Sequence, residues 1–220
     1  MTEPKRALRP RDAASLLILD RSGSETTVLM GRRSARHVFM PSKFVFPGGR
    51  VDRTDGSIKS SSPLHEPDER RLMGAMRGRP SKRRAHAMAV CALRETAEET
   101  GLLLGKGEDA SSFEPNLAPL RYVARATTPV GRPRRYDTRF FAGFLDRFGI
   151  ETSAPAPLTD ELEEIQWVAL RKAEQLDVPM ITAFIIRHVI ERLTVDPELR
   201  ADPTIPHLYV RRGALQRDEH

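Results

Sequence analysis

The stretch Arg94 to Leu102 (RETAEETGL) carries three glutamates, an arginine and a glycine at spacings that chemistry could use. On a helix advancing about 100° per residue, Glu98 lies about 60° to one side of Glu95 and Glu99 about 40° to the other. The three carboxylates therefore share one face, and Arg94 stands one turn before Glu98, within reach of an ion pair. Like charges so close repel by a few tenths of a kcal/mol per pair on an exposed helix. A divalent cation converts that repulsion into binding. Magnesium takes hard oxygen ligands in octahedral geometry and keeps waters and substrate phosphate oxygens in its shell; manganese is the other candidate.

Acidic helical faces are commonly plain solvated surface, but the flanking residues argue otherwise here. Met88, Cys91 and Ala92 fall on the side of the glutamates, and Val90, Leu93 and Ala97 on the opposite side. A helix apolar on two sides is covered on both. Carboxylates at the end of such a partly buried face are costly without a partner charge.

The elements that must position this face can be read along the chain. Ala13 to Leu19 (AASLLIL) reads as a short buried strand, and Thr26 to Met30 as its hairpin partner across the turn residues RSGSE. A strand-like run at Phe44 meets Pro47 and two glycines. Residues 53–84 are rich in Ser, Pro, Gly and charge. They are expected to form a polar inserted segment, with a helical turn or two around Glu69 to Met76 and mobility as a flap over the site. A helix is expected over Ala85 to Leu104, stopped near Gly101. Strands are expected at Leu120 to Ala126, Arg139 to Leu145 and Ile165 to Leu170, and a packing helix at Ile181 to Leu193. Mixed strands with two main helices make an α/β or α+β chain, a sheet sandwiched by helices.

Composition sets the outer bounds. The 220 residues suffice for one well-buried domain, so residues 1–220 are read as a single domain with the insertion at about 53–84. No apolar run approaches bilayer length. The N-terminal MTEPKRALRPRDAA has no apolar signal stretch and is read as a cytoplasmic start. The single cysteine, Cys91, excludes an intramolecular disulfide and a cysteine-built zinc site. A net charge of +6 suits a phosphorylated small molecule or nucleic acid, or simply a solvated arginine-rich surface; the small molecule is favoured, and no membrane partner is expected.

These residues resemble the Nudix signature, G-x5-E-x7-R-E-U-x-E-E-x-G-U, where U is a bulky aliphatic residue. The second half stands as Arg94 to Leu102, with Thr96 at a U position. The first half stands as Phe46-Pro47-Gly48-Gly49, five residues, then Asp55 in place of Glu. The spacer between Asp55 and Arg94 covers residues 56–93, much longer than the signature's. This resembles a long-insert Nudix branch that includes peroxisomal coenzyme A diphosphatases. The basic motif of that branch is only partly matched by VLMGRRSARHVFMPSKFVFPGG, so the resemblance leaves the substrate open.

The resemblance implies a Nudix-type α/β/α sandwich with a mixed β-sheet. It implies metal binding by Glu95, Glu98 and Glu99, with the Gly49 carbonyl as a main-chain ligand, and Arg94 orienting the carboxylates. Relatives often add an acid about six residues before a strand tryptophan; TDELEEIQW places Glu161 at that spacing before Trp167, with Asp160, Glu163 and Glu164 competing. Homodimers are common among such proteins.

The chemistry expected is metal-dependent hydrolysis of a phosphoanhydride in a nucleoside diphosphate joined to a second moiety, of coenzyme A, NADH or ADP-ribose type. Glu98 serves as base or ligand, and Glu161 as a base or further ligand. Arg32, Arg33 and Arg36, followed by His37, could hold substrate phosphates or be exposed loop residues. Tyr136, Phe140 and Phe141 could stack on a base but fit the sheet and core better; His86 reads as packed or solvated. Two other classes stay open: an RNA-cap or RNA-end pyrophosphohydrolase, and a non-catalytic Nudix-fold binding module, of which loss of the glutamates would be the mark.

Overall fold

The uninterrupted apolar run near the N-terminus is explained by burial on both faces. In the computed structural model, which describes residues 8–36, 40–109, 111–150, 159–211 and 213–219, the chain opens with β1 (Arg11–Asp20), β2 (Thr27–Arg33), β3 (Phe44–Val45) and β4 (Gly48–Arg50). Helices α1 (Glu66–Gly74) and α2 (Lys82–Thr100) follow, then a small pair, β5 (Gly105–Lys106) and β6 (Glu114–Pro115). Next come β7 (Arg121–Thr127), β8 (Tyr136–Phe144), β9 (Leu162–Ala169), α3 (Met180–Val195), β10 (Pro206–Arg211) and β11 (Ala214–Glu219).

The main sheet is mixed and runs β11-β10-β7-β8-β1-β2-β3, with β4 also on β1 and β9 also on β2. Along β1 the side chains alternate: Ala14, Leu16 and Ile18 join the core under α2, whereas Leu17 and Leu19 join the core under α3. A strand covered on both faces reads as continuous hydrophobe, as buried strands do. The result is the expected helix–sheet–helix sandwich.

One edge of β1 is shared, and that sharing positions the site. β8 runs parallel to β1 from Arg11 to Leu19. On the other edge, β4 pairs with Ala13–Ser15 and β2 pairs with Leu19 and Asp20. At the junction the Ser15 hydroxyl and the Leu16 N–H both donate to the Pro47 carbonyl at 2.9 Å. Gly48 has φ +153, and a Cβ there would fall 2.4 Å from the Ala14 carbonyl oxygen, so only glycine lets β4 lie this close.

Helix α2 begins at Lys82, earlier than the sequence pattern suggests, because the Ser81 hydroxyl accepts from the Arg84 N–H and caps it. It ends where Gly101 adopts φ 75, its N–H donating to the Ala97 carbonyl. Thr96, unusual at an aliphatic position, is fully buried because its hydroxyl donates to the Ala92 carbonyl at 2.8 Å and leaves its methyl to pack.

The insertion differs from the polar flap expected. It forms a short turn at Asp55–Ser57 and then α1, which docks on α2 and β7. Leu72 is fully buried and shares the α2-side core with Met76, Ala85 and Met88. A segment that contributes this much apolar burial is part of the sandwich and not a loose cover. Among the described residues no helix is long and apolar enough to cross a membrane. His37 lies outside the described residues.

A candidate metal and active site

The two glycines of β4 bring backbone against the last turns of α2. The Gly48 N–H donates to Glu99 Oε2 at 3.0 Å, and Glu99 is 3% exposed. A Cβ on Gly49 would fall 2.4 Å from the Glu95 carboxylate, so glycine is required there for Glu95 to occupy its place. The Gly49 carbonyl accepts a 3.6 Å contact from the buried Cys91 thiol, whose pKa burial drives well upward.

Arg94 is the hub of the acidic face. Its guanidinium donates to Asp55 at 2.8 and 3.3 Å, to Glu98 Oε2 at 2.9 Å, and lies 2.9 Å from Glu95 Oε1. Asp55 is fully buried and also accepts from the Asp52 N–H at 2.8 Å. The shorter Asp side chain thus reaches the arginine because the turn at Asp55–Ser57 packs directly on α2. Burial penalises the charge on Arg94, but its hydrogen bond to Asp55 and the nearby acids more than offset it, so its pKa is raised.

Burial acts in the opposite sense on the carboxylates. Desolvation pushes Glu95 up to about 7 against the pull of Arg94, and Glu98 and Glu161 add repulsion. Glu99 is pushed up to about 8, first by burial, despite the Gly48 N–H, with Glu95 and Glu161 adding to it. Hard oxygen donors, desolvated and mutually repelling once ionised, are the donor set a divalent cation fits.

The structure also corrects the simple picture of three glutamates converging. Among the described residues no three acidic, histidine or cysteine side chains are gathered as a ready ligand group. Arg94 holds Glu95 and Glu98 to itself, and Glu99 turns to the Gly48 N–H. Glu98 is the open member, its side chain 47% exposed. Glu161 is exposed at the start of β9, its carbonyl accepting from the Ser34 N–H, and it is near enough to act on both Glu95 and Glu99.

The basic residues before β3 separate from one another. Arg32 is held by Glu164 at 2.5 Å and Glu163 at 4.0 Å, which ties β2 to β9. Arg33 lies near enough for its charge to act on Glu99. Arg36 is exposed and lines a cleft of about 540 Å³ with Ser34, Asp160 and Glu163. Phe140 and Phe141 are buried in the two cores, and His86 is packed, its Nε2 2.8 Å from the Ile58 carbonyl. In the insertion Arg83 and Arg84 are engaged by Gly56, Ser57 and Asp12, so they do not form a free basic stripe.

Two supporting residues escaped the sequence reading. Asp55 was visible as a pattern residue but not as the anchor of Arg94. Ser15, which fixes Pro47, was signalled by a lone hydroxyl inside a buried apolar run.

A model of the NUDIX domain matches residues 83–192. An acyl-coenzyme A diphosphatase, NUDT19, of Gallus gallus is 31% identical over 150 residues, 56% of this chain and 38% of that protein. The NUDT19 acyl-coenzyme A diphosphatase of Xenopus laevis is 30% identical over 112 residues, 40% of this chain and 28% of that protein. The chain spans about half or less of the length of the curated relatives it matches. Among solved structures, a NUDIX hydrolase from Alicyclobacillus acidocaldarius superposes with a TM-score of 0.62 at 26% identity, covering 81% of this chain and 90% of that one.

Proposed function

The chain belongs to the Nudix family, and from that premise we propose that it is a hydrolase that cleaves the diphosphate of a nucleoside diphosphate joined to a second moiety, with coenzyme A-type substrates ahead of NADH- and ADP-ribose-type ones. The observation that carries this reading is the arrangement around Arg94: clasped by buried Asp55, it holds Glu95 and Glu98 beside the Gly48–Gly49 turn and Glu99. The preference for coenzyme A-type substrates is supported by the two acyl-coenzyme A diphosphatase relatives.

Nudix hydrolases generally use a divalent metal; magnesium, or manganese in its place, is the ion proposed here. Glu95, Glu99 and the Gly49 carbonyl would hold it, with Glu98 completing the set or standing ready as the base. A cation so bound would supply charge neutralisation at the phosphate, orientation of the phosphorus and a lowered pKa of water. Arg94 keeps Glu95 and Glu98 from collapsing on each other or drifting apart. Glu98, the exposed acid, accepts the proton of the attacking water, and Glu161 serves as a further base or ligand. Arg33 and Arg36 take phosphate oxygens, whereas Arg32 stabilises the wall through Glu164. The products are a nucleoside monophosphate or its equivalent and a phosphomonoester.

The reading is tested by incubating the protein with coenzyme A, an acyl-coenzyme A, NADH, ADP-ribose, a diadenosine polyphosphate and capped RNA, each with Mg2+, Mn2+ or EDTA. Cleavage of a coenzyme A-type substrate at the diphosphate, abolished by EDTA, is the expected outcome. No cleavage of any member, or equal cleavage in EDTA, would overturn it.

A further inference from the structure

Outside the acidic face, four basic side chains line a second cleft. It measures about 430 Å³ and is lined by His65, Ala118, Pro119, Arg121, Arg147 and Arg200, with no carboxylate among them. His65 is the cap residue of α1, so the insertion builds one wall. Arg121 opens β7, Arg147 sits in the turn at Leu145–Phe148, and Arg200 follows α3.

The acids around this cleft are each divided among several cations, those of the cleft included. Asp68 pairs with His65 at 3.1 Å and with Arg71 at 3.3 Å. Glu198 is shared by Arg21, Arg147 and Arg200, the last at 3.9 Å. Asp196 accepts from the Ala201 N–H at 2.6 Å. Arg121 is different: its hydrogen bonds among the described residues go to the main-chain carbonyls of Ala118, Leu120 and Leu199 at 2.8 to 3.1 Å. Those bonds fix the guanidinium without neutralising it. Burial and the like charge of Arg147 both work against its charged form, with Asp68 and Asp196 only partly offsetting them. A pre-positioned, under-neutralised guanidinium between two further arginines is complementary to an anion and needs little ordering to bind one.

We propose that this cleft is a second binding site, for the phosphate of a small phosphomonoester. Arg121, Arg147 and Arg200 take the phosphate oxygens and His65 caps them from the insertion. Pro119 and Ala118 offer an apolar wall to the organic part, for which the volume leaves room. The cleft shares no lining residue with the acidic face, where the cations that act on Glu95 and Glu99 are Arg94 and Arg33. The inference does not depend on the substrate proposed above. It gives the insertion a use beyond packing.

The test is isothermal titration of the full chain, in EDTA, with inorganic phosphate and separately with AMP. Both should bind with one-to-one stoichiometry, and more weakly as salt is raised. Arg200→Gln, at a side chain 76% exposed, folds normally and should weaken both by about tenfold. Arg147→Gln should do the same, while Arg33→Gln, at the acidic face, should bind as the unaltered protein does. Absence of saturable binding, or unchanged affinity in both arginine variants, would overturn the site. Loss of binding in Arg33→Gln would move the anion to the acidic face. Phosphate binding without AMP binding would overturn the phosphomonoester assignment.

Discussion

Asp55→Asn perturbs the acidic face without touching any of its glutamates. The side chain has no exposed surface and its partner Arg94 is 18% exposed. The substitution keeps the shape and removes the charge from a bidentate pair with contacts of 2.8 and 3.3 Å. Leaving one member of a buried pair without its counter-charge costs about 3–5 kcal/mol. Arg94 retains Glu95 and Glu98, so the low end, about 3 kcal/mol, is expected. Catalysis should suffer separately, because Arg94 would swing toward its two remaining acids and carry them with it; a displacement of about 1 Å is worth about a hundredfold in rate. Urea unfolding gives the first quantity, and kcat on a cleaved diphosphate substrate gives the second. Asp55→Glu is the informative companion: it keeps the charge but adds a methylene to a filled site, at about 1–3 kcal/mol. Asp55→Asn within about 0.5 kcal/mol of the unaltered protein, at unchanged kcat, would refute the anchoring role.

Gly49→Ala places a methyl 2.4 Å from the Glu95 carboxylate and should lower kcat by about a hundredfold with little change in Tm; full activity would show that Glu95 does not need that space. Leu72→Ala in α1 should cost about 2–5 kcal/mol of stability by thermal or urea unfolding, since Leu72 is fully buried; an unchanged Tm would mean that the insertion is not docked. Burial works to raise the Asp137 pKa, but the Arg125 hydrogen bond, the Arg139 and Arg125 charges and the Thr127 hydroxyl outweigh it and hold the group down to about 2. Its folded pKa lies below the ordinary 3.8, so it contributes about 2 kcal/mol of stability above about pH 4, lost as pH falls toward about 2. Asp137→Asn should flatten that acid limb in unfolding experiments; an unaltered limb would contradict the assignment.

Much of the sandwich was legible because its signals are local. The apolar run at Ala13 to Leu19, the Gly101 stop and the helical spacing from Ile181 each predict an element that the structure contains. The insertion was misread because its composition is polar, while only a few of its residues, Leu72 and Met76 above all, make the core contact. The strands β10 and β11 were missed for a related reason. β11 is almost wholly exposed and owes its conformation to pairing with β10, a long-range partner that periodicity does not reveal. At the site, the shared helical face of Glu95, Glu98 and Glu99 followed from spacing alone. Spacing says nothing of where each carboxylate turns, and Arg94, Asp55 and the Gly48 N–H decide that.

The central claim, that the acids of α2 carry out hydrolysis of a phosphoanhydride, is tested most directly by comparing kcat/KM with Mg2+ for the unaltered protein and for Glu95→Gln, Glu98→Gln and Glu99→Gln on one coenzyme A-type substrate. Each variant should retain the fold by circular dichroism and lose about a hundredfold or more in kcat/KM. Equal kcat/KM in all four proteins would contradict it.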